Sequence, residues 1–180
     1  MVQRMSKSKL VSHLYSRHLK LEEYTSIIVG DDLVYFLLYS LTGKLVGYQQ
    51  YNYLADKIAK NHPREGRYFT YVTSEGTCKA NSVWGLDRLD SSKTELYVVE
   101  GVFKACRLHN LGLNCVAVLG NNPKSMYNWF YSLPYKIIPI CDGDKGGKAL
   151  GKLTSNSIYL KDGQYLDEMT VKDIKEVIYE

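Results

Sequence analysis

The 180-residue sequence predicts an α/β protein: a parallel sheet flanked by helices, preceded by a smaller α+β lobe with antiparallel strands. Three observations predict it. From residue 95 onward, short apolar runs alternate with helix-length runs, the pattern of a parallel sheet covered on both faces. Before residue 90, strand-like runs follow one another across short turns. Between the two patterns residues 90–94 are polar, which places the lobes at residues 1–92 and 93–180.

In the first lobe, residues 6–21 set Leu10, Val11, Leu14, Leu19 and Leu21 among basic residues, an amphipathic helix with Ser6 or Ser8 as its cap. Residues 24–29, 33–41 and 45–53 read as strands, the last two joined by a hairpin turn at Thr42-Gly43-Lys44. Residues 54–60 read as a helical turn and 62–67 (HPREGR) as a basic loop. A strand at 67–73, a loop at 74–82 and a compact element at 83–89 complete the lobe. In the second lobe, strands are expected at 95–99, 115–119, 136–141 and 157–160, and helices at 102–111, 123–133, 145–153 and 170–179. Gly112 is a normal stop for the first of these helices. Asn121 or Asn122 caps the second, with Pro123 near its first position.

The composition narrows the function classes. An apolar fraction of 45% supports a real core, and a net charge of +4 is compatible with nucleic acid without demanding it. Cys78, Cys106, Cys115 and Cys141 form no C-x-x-C pair, which argues against a zinc site. Cys115 and Cys141 fall in apolar runs and read as reduced core residues of a cytosolic protein. No apolar run approaches the roughly 20 residues of a membrane span, and no apolar signal core follows the basic N-terminus. A cytoplasmic protein is therefore expected. The sequence holds no G-x-S-x-G and no G-x-x-x-x-G-K-[ST], so neither serine hydrolase nor P-loop chemistry is supported. His13, His18, His62 and His109 share no spacing with the acids and read as surface or helix-face residues. The 16 tyrosines suit amphipathic packing, and tyrosine also stacks on bases.

The chemistry concentrates in residues 137–150, IIPICDGDKGGKAL. An apolar strand ends in Asp142 and Asp144, one residue apart, and another ends in Glu100-Gly101. In parallel α/β sheets the functional crevice lies beyond the carboxyl ends of the strands, where Glu100, Gly120, Asp142 and Asp144 all fall. Carboxylates converging there suit a hard divalent cation such as Mg²⁺, which takes oxygen ligands together with substrate phosphates. Glycines 101, 146 and 147 let backbone approach an ion or phosphate, and the helix opening after Asp144 favours an anion. The plainer alternative is that Asp142 starts a turn and Asp144 caps a helix.

These residues resemble a known module. Residues 95–160 are similar to a Toprim domain, shared by bacterial-type primases, type IA and type II topoisomerases and several nucleases. Glu100-Gly101 resembles its glutamate motif, and Asp142-Gly143-Asp144 with Gly147 and Ala149 its D-x-D-x-x-G motif. Leu119-Gly120 falls where the middle strand ends in glycine. Residues 34–50 (VYFLLYSLTGKLVGYQQ), Trp84–Arg88 and residues 159–169 (YLKDGQYLDEM) resemble the flanks of primase catalytic cores. The resemblance implies a metal-dependent, primase-like nucleotidyltransferase core that makes oligonucleotide primers from nucleoside triphosphates on a single-stranded DNA template. Mg²⁺ or Mn²⁺ would be held by the catalytic acids Glu100, Asp142 and Asp144. Gly101, Gly147, Lys145 and Lys148 would lie against ion or phosphate. Lys57, Lys60, Arg64, Arg67, Lys79 and Arg88 would line the nucleic-acid groove, their alternative being a solvated basic face. Many such cores are phage proteins, which would place this one in the host cytoplasm, with a helicase or zinc-ribbon protein acting in trans and no membrane partner.

Two positions depart from the pattern. Lys104 stands where the motif E-G-x-x-D usually ends in an acid, one helical turn from Glu100 and placed to pair with it. Tyr165 replaces another usual acid, although Asp167 and Glu168 follow. One firmly held ion is therefore expected rather than two. Two alternatives share the residues: a Toprim nuclease that activates water, and a degenerate, non-catalytic Toprim protein that binds nucleic acid or a replication partner.

Overall fold

The chain folds around two sheets, one antiparallel and one parallel, that share a hydrophobic core. The computed structural model describes residues 2–57, 62–73, 82–120 and 123–179, the side chains of 2–8 excepted. In the antiparallel sheet, β1 (Ile27–Val29), β2 (Leu33–Ser40), β3 (Leu45–Asn52) and β4 (Tyr68–Val72) lie in sequence order, and β5 (Ser82–Val83) pairs with the far end of β2. β2 alternates strictly, burying Val34, Phe36 and Leu38, because the strand period of two turns every second side chain to one face. The hairpin turn stands where the sequence places it, with Ser40 and Lys44 joined by a backbone bond of 2.8 Å.

Helix α1 (Val2–Ser16) sets Leu10 and Leu14 into the core. It differs from the expectation at both ends. Residues 2–16 contain neither glycine nor proline, so the helix runs back to Val2 and encloses Ser6 and Ser8, which do not cap it. It stops at Ser16 because His18 takes a left-handed backbone (φ 64°). Leu19 is buried beyond the helix end. Residues 54–57 form no helix, and 58–60 lie outside the described residues, as do most of the loop at 74–82 and the caps Asn121 and Asn122.

The parallel sheet has the order β7-β6-β8-β9, built from β6 (Glu95–Val99), β7 (Cys115–Ala117), β8 (Lys136–Cys141) and β9 (Ile158–Tyr159). Helices α2 (Val102–His109), α3 (Tyr127–Ser132), α4 (Lys145–Leu150) and α5 (Val171–Tyr179) intervene or follow. Buried strands with both faces covered read as continuous apolar runs, and β6 shows it. Leu96 and Val98 pack with Phe130, Leu150 and Leu153, while Tyr97 and Val99 pack with α2 and Ile174. α3 and α4 are shorter than the sequence predicts, because a 3-10 turn takes over before α3 (Lys124–Met126) and after α4 (Gly151–Leu153). Gly112 ends α2 as expected, with φ 72°.

A backbone bridge and a cluster of rings are central to the joint between the sheets. Trp84, just after β5, and Ala117 of β7 exchange backbone hydrogen bonds at 3.0 Å in both directions. α2 lies between the sheets, and its Phe103 ring meets Phe36 at 6.0 Å and Tyr51 at 5.0 Å, both edge-on. Full burial of rings of this size stabilises by about 1.5–3 kcal/mol each. Cys106, Cys115 and Cys141 are free and buried, and no helix of the described residues is long and apolar enough to cross a membrane.

His109, at the end of α2, is buried beside this joint. Its Nε2 faces the Cys115 carbonyl at 2.9 Å, so Nε2 donates, and Nδ1 accepts from the Tyr24 hydroxyl at 3.0 Å. Burial, reinforced by the Arg88 guanidinium, holds this imidazole down to about 4 from 6.5. The folded protein keeps it neutral where the unfolded chain would protonate it. Its contribution is therefore complete above the unfolded value and is lost as pH falls from 6.5 toward about 4. We expect this one group to cost roughly 3 kcal/mol across that window. Urea unfolding of wild type and His109→Gln at pH values across the window measures it, as a stability gap between the two that narrows with acid.

Candidate functional site

β6 and β8 are parallel neighbours, with Leu96 opposite Ile137 and Val98 opposite Pro139, so their carboxyl ends lie side by side. Glu100 leaves β6 and Gly101 opens α2; Asp142-Gly143-Asp144 leaves β8 and opens α4. A cleft of about 840 Å³ lies beyond these ends, lined by Glu100, Asp142 and Asp144. Arg17, Lys57 and Arg67 line the same cleft from the N-terminal lobe. Asp167 and Glu168, in a 3-10 turn (Leu166–Glu168), add two further acids.

Lys104 is the residue at the centre. One turn along α2 from Glu100, its Nζ stands 3.8 Å from Glu100 Oε2 and forms an ion pair with Asp142 Oδ2. The expected pairing with Glu100 is thus present, and a second arm reaches β8. These charges are well removed from water: the side chains of Lys104 and Asp142 are 14% and 4% exposed. Glu100 Oε1 is buried with no hydrogen-bond partner. Burial raises the Glu100 carboxyl above its ordinary value; the Lys104 ammonium opposes this, and Asp142 and Asp144 add to it. Asp144 also caps α4, its Oδ1 accepting from the Gly147 N–H at 2.9 Å.

The donor chemistry suits a hard divalent ion, since every candidate ligand is a carboxylate and Glu100 Oε1 lacks a partner. The arrangement is incomplete as it stands. Among the described residues no three acidic, histidine or cysteine side chains are assembled to hold an ion. The Lys104 ammonium pairs with both Glu100 and Asp142 instead.

The other residues singled out in the sequence divide. Lys57, Arg67 and Gly101 line the cleft. Arg64 does not; its guanidinium lies over the Phe69 ring at 5.3 Å. Arg88 is also elsewhere, holding the Glu23 carbonyl at 3.0 Å and its carboxylate at 3.3 Å. Lys60 and Lys79 lie outside the described residues. Lys145 and Lys148 are exposed on α4 and do not line the cleft, and α4 is only six residues long. Gly147 serves packing: a Cβ there would collide with the Asp142 carbonyl oxygen, so its absence lets α4 sit on the D-G-D backbone.

Sequence reasoning missed Arg17. It pairs with Asp167 at 2.5 Å, across 150 residues of chain, and its guanidinium lies 4.2 Å from the Phe103 ring centre. Its place just past α1 was the only signal. Leu119, a strand end by its sequence pattern, lines the cleft with a left-handed backbone (φ 57°), a costly conformation for a bulky residue.

A parallel sheet flanked by helices and fronted by an antiparallel sheet is a primase-like Toprim fold, and solved primase catalytic cores share this fold with the chain. The chain aligns with a DNA primase domain from Pseudomonas aeruginosa at a TM-score of 0.60 and 15% identity, covering 94% of this chain and 58% of that one. With the zinc-binding and RNA polymerase domains of Aquifex aeolicus primase the TM-score is 0.59 and the identity 22%, covering 95% and 48%. With the DnaG primase catalytic domain bound to single-stranded DNA the values are 0.56 and 20%, covering 93% and 56%. The chain thus spans between 48% and 58% of the length of these structures, and at such identities the likeness is one of fold. No protein-family model matches the sequence, and no curated protein does.

Gly147→Ala should destabilise the protein by about 1–3 kcal/mol, because α4 must lift off the Asp142 carbonyl to admit a methyl group. Urea unfolding measures this. Gly101→Ala, where a Cβ meets nothing within 4 Å, is the control expected to change stability far less.

Proposed function

We propose that this chain is a primase-like nucleotidyltransferase core that acts on single-stranded nucleic acid and joins nucleoside triphosphates into oligonucleotide primers. The observation that carries this reading is the division of charge within one cleft. Glu100, Asp142 and Asp144 line it from the strand ends, and Arg17, Lys57 and Arg67 from the opposite lobe. Phosphoryl transfer needs such a division. Cations position template and triphosphate phosphates, and carboxylates stand where the hydroxyl attacks phosphorus and pyrophosphate leaves. Asp144, Asp142 and Glu100 are the residues that would hold Mg²⁺ or Mn²⁺. That ion would supply charge to offset the leaving pyrophosphate and lower the pKa of the attacking 3′-hydroxyl.

The fold likeness to a primase domain bound to single-stranded DNA supports the choice of template. The lobes at 1–92 and 93–180 would divide the work, the first holding the strand and the second the reacting phosphates. A helicase or zinc-ribbon protein acting in trans, and a phage origin with function in the host cytoplasm, belong to the same reading. A second reading rests on Lys104: with its ammonium between two of the acids, the cleft would bind nucleic acid or a replication partner without catalysis.

Incubating the protein with single-stranded DNA, labelled nucleoside triphosphates and Mn²⁺ tests the proposal. Oligonucleotide products that vanish in Asp142→Asn and Asp144→Asn are expected, and their absence from wild type would sink the reading. Degradation of the DNA without triphosphates would mark a nuclease instead. For binding, Lys57→Ala and Arg67→Ala should each weaken the affinity for a single-stranded oligonucleotide and reduce the magnitude of the log K against log salt slope by about 0.7. Arg64→Ala should leave both nearly unchanged.

A further inference from the structure

We propose that the Lys104 ammonium is the resident cation of the carboxylate cleft, holding the space between Glu100 and Asp142, so that a divalent ion binds there only in competition with it. The proposal rests on reading the cleft as a phosphate-transfer centre, and it concerns which cation the centre contains by default.

Geometry is the first support. Lys104 is tied to α2 one turn from Glu100, and that turn points its amine across to β8, where it pairs with the most buried acid of the site. Both partners are contributed by different strand ends, which is how a bridging ion would be held. Burial is the second. Removing a lysine's charge from water costs free energy that pairing must offset; the Lys104 side chain is only 14% exposed, and both of its partners are carboxylates. Incomplete satisfaction is the third. The ammonium approaches Oε2 of Glu100 and leaves Oε1 buried without a partner, a vacancy in hydrogen bonding that a divalent ion with more coordination positions would fill.

The substitution has a chemical cost and an advantage. An ammonium neutralises one charge and keeps the acids together in the absence of metal. It accepts no electron pair from substrate oxygen and cannot activate a bound water or hydroxyl as a metal ion does. Lys104 therefore stabilises the folded cleft while setting a threshold for loading it. Divalent cation binds when its gain from the carboxylates exceeds the loss of two ion pairs.

Mn²⁺ titration followed by electron paramagnetic resonance reads this directly, without reference to activity. Lys104→Met keeps most of the buried stem and removes the charge, and it should bind Mn²⁺ at least about tenfold more tightly than wild type. Mn²⁺ should raise the Tm of Lys104→Met more than it raises that of wild type, and adding Asp142→Asn to that variant should abolish both gains. Lys104→Arg, which retains the charge and guards against misfolding of the methionine variant, should bind Mn²⁺ no more tightly than wild type. Equal Mn²⁺ affinity in wild type and Lys104→Met overturns the proposal, as does a gain that survives Asp142→Asn. If Lys104→Met does not fold, tighter Mn²⁺ binding by Lys104→Arg than by wild type overturns it as well. Primer synthesis is scored separately: a wild type that makes no oligonucleotide yet shows the gain in Lys104→Met loses the functional reading and keeps this one.

Discussion

Parallel pairing of β6 with β8 sets two strand ends beside each other, and the layout of the cleft follows from that single register. After its first residue, Glu95 in β6 and Lys136 in β8, each strand is apolar to its end because both of its faces are covered. Polar residues therefore resume only where each strand stops, and they resume side by side, as Glu100 on one and Asp142 on the other. α2 then has to start between them and the antiparallel lobe. It presents Phe103 to the aromatic core of that lobe and Lys104, the next residue, to the acids. The position of the lysine is thus fixed by the same packing that holds the two sheets together.

The cleft contains more charge than a protein interior accepts cheaply. Desolvation of a buried pair often exceeds its Coulombic gain, and loss of one member leaves the other uncompensated. Glu100 records this tension in its raised carboxyl pKa, which burial dominates and neighbouring acids reinforce. Arg17 and Asp167 form a second pair at the rim, so the basic wall is itself tethered to an acidic turn from the C-terminal half. Charges of both signs are held in place before any ligand arrives, which reduces the reorganisation that phosphate binding would need.

Much of the fold was legible in the sequence because it depends on local pattern. The apolar run of β2, the hairpin turn, the Gly112 stop and the apolar runs of β6 and β8 are all short-range signals, and each element stands where those signals put it. The acids at the strand ends were visible for the same reason. The lengths of α1, α3 and α4 were less so, because 3-10 turns and a left-handed His18 decide them. The cleft's second wall was the hardest to see. Arg67 and Arg64 are three residues apart in one basic loop, and nothing local distinguishes the one that faces the cleft from the one that lies over Phe69. Arg17 reaches the site only through tertiary packing, and the Asp142 arm of Lys104 likewise exists only once β6 and β8 are paired.

The backbone bridge between Trp84 and Ala117 bears on how firmly the walls of the cleft are held. Two reciprocal hydrogen bonds and the interleaved rings of Phe36, Tyr51 and Phe103 fasten one sheet to the other. A jaw that swung open at this joint would have to break all of these together. The cleft is in this respect a slot cut in a single block, with walls that face a ligand without swinging apart.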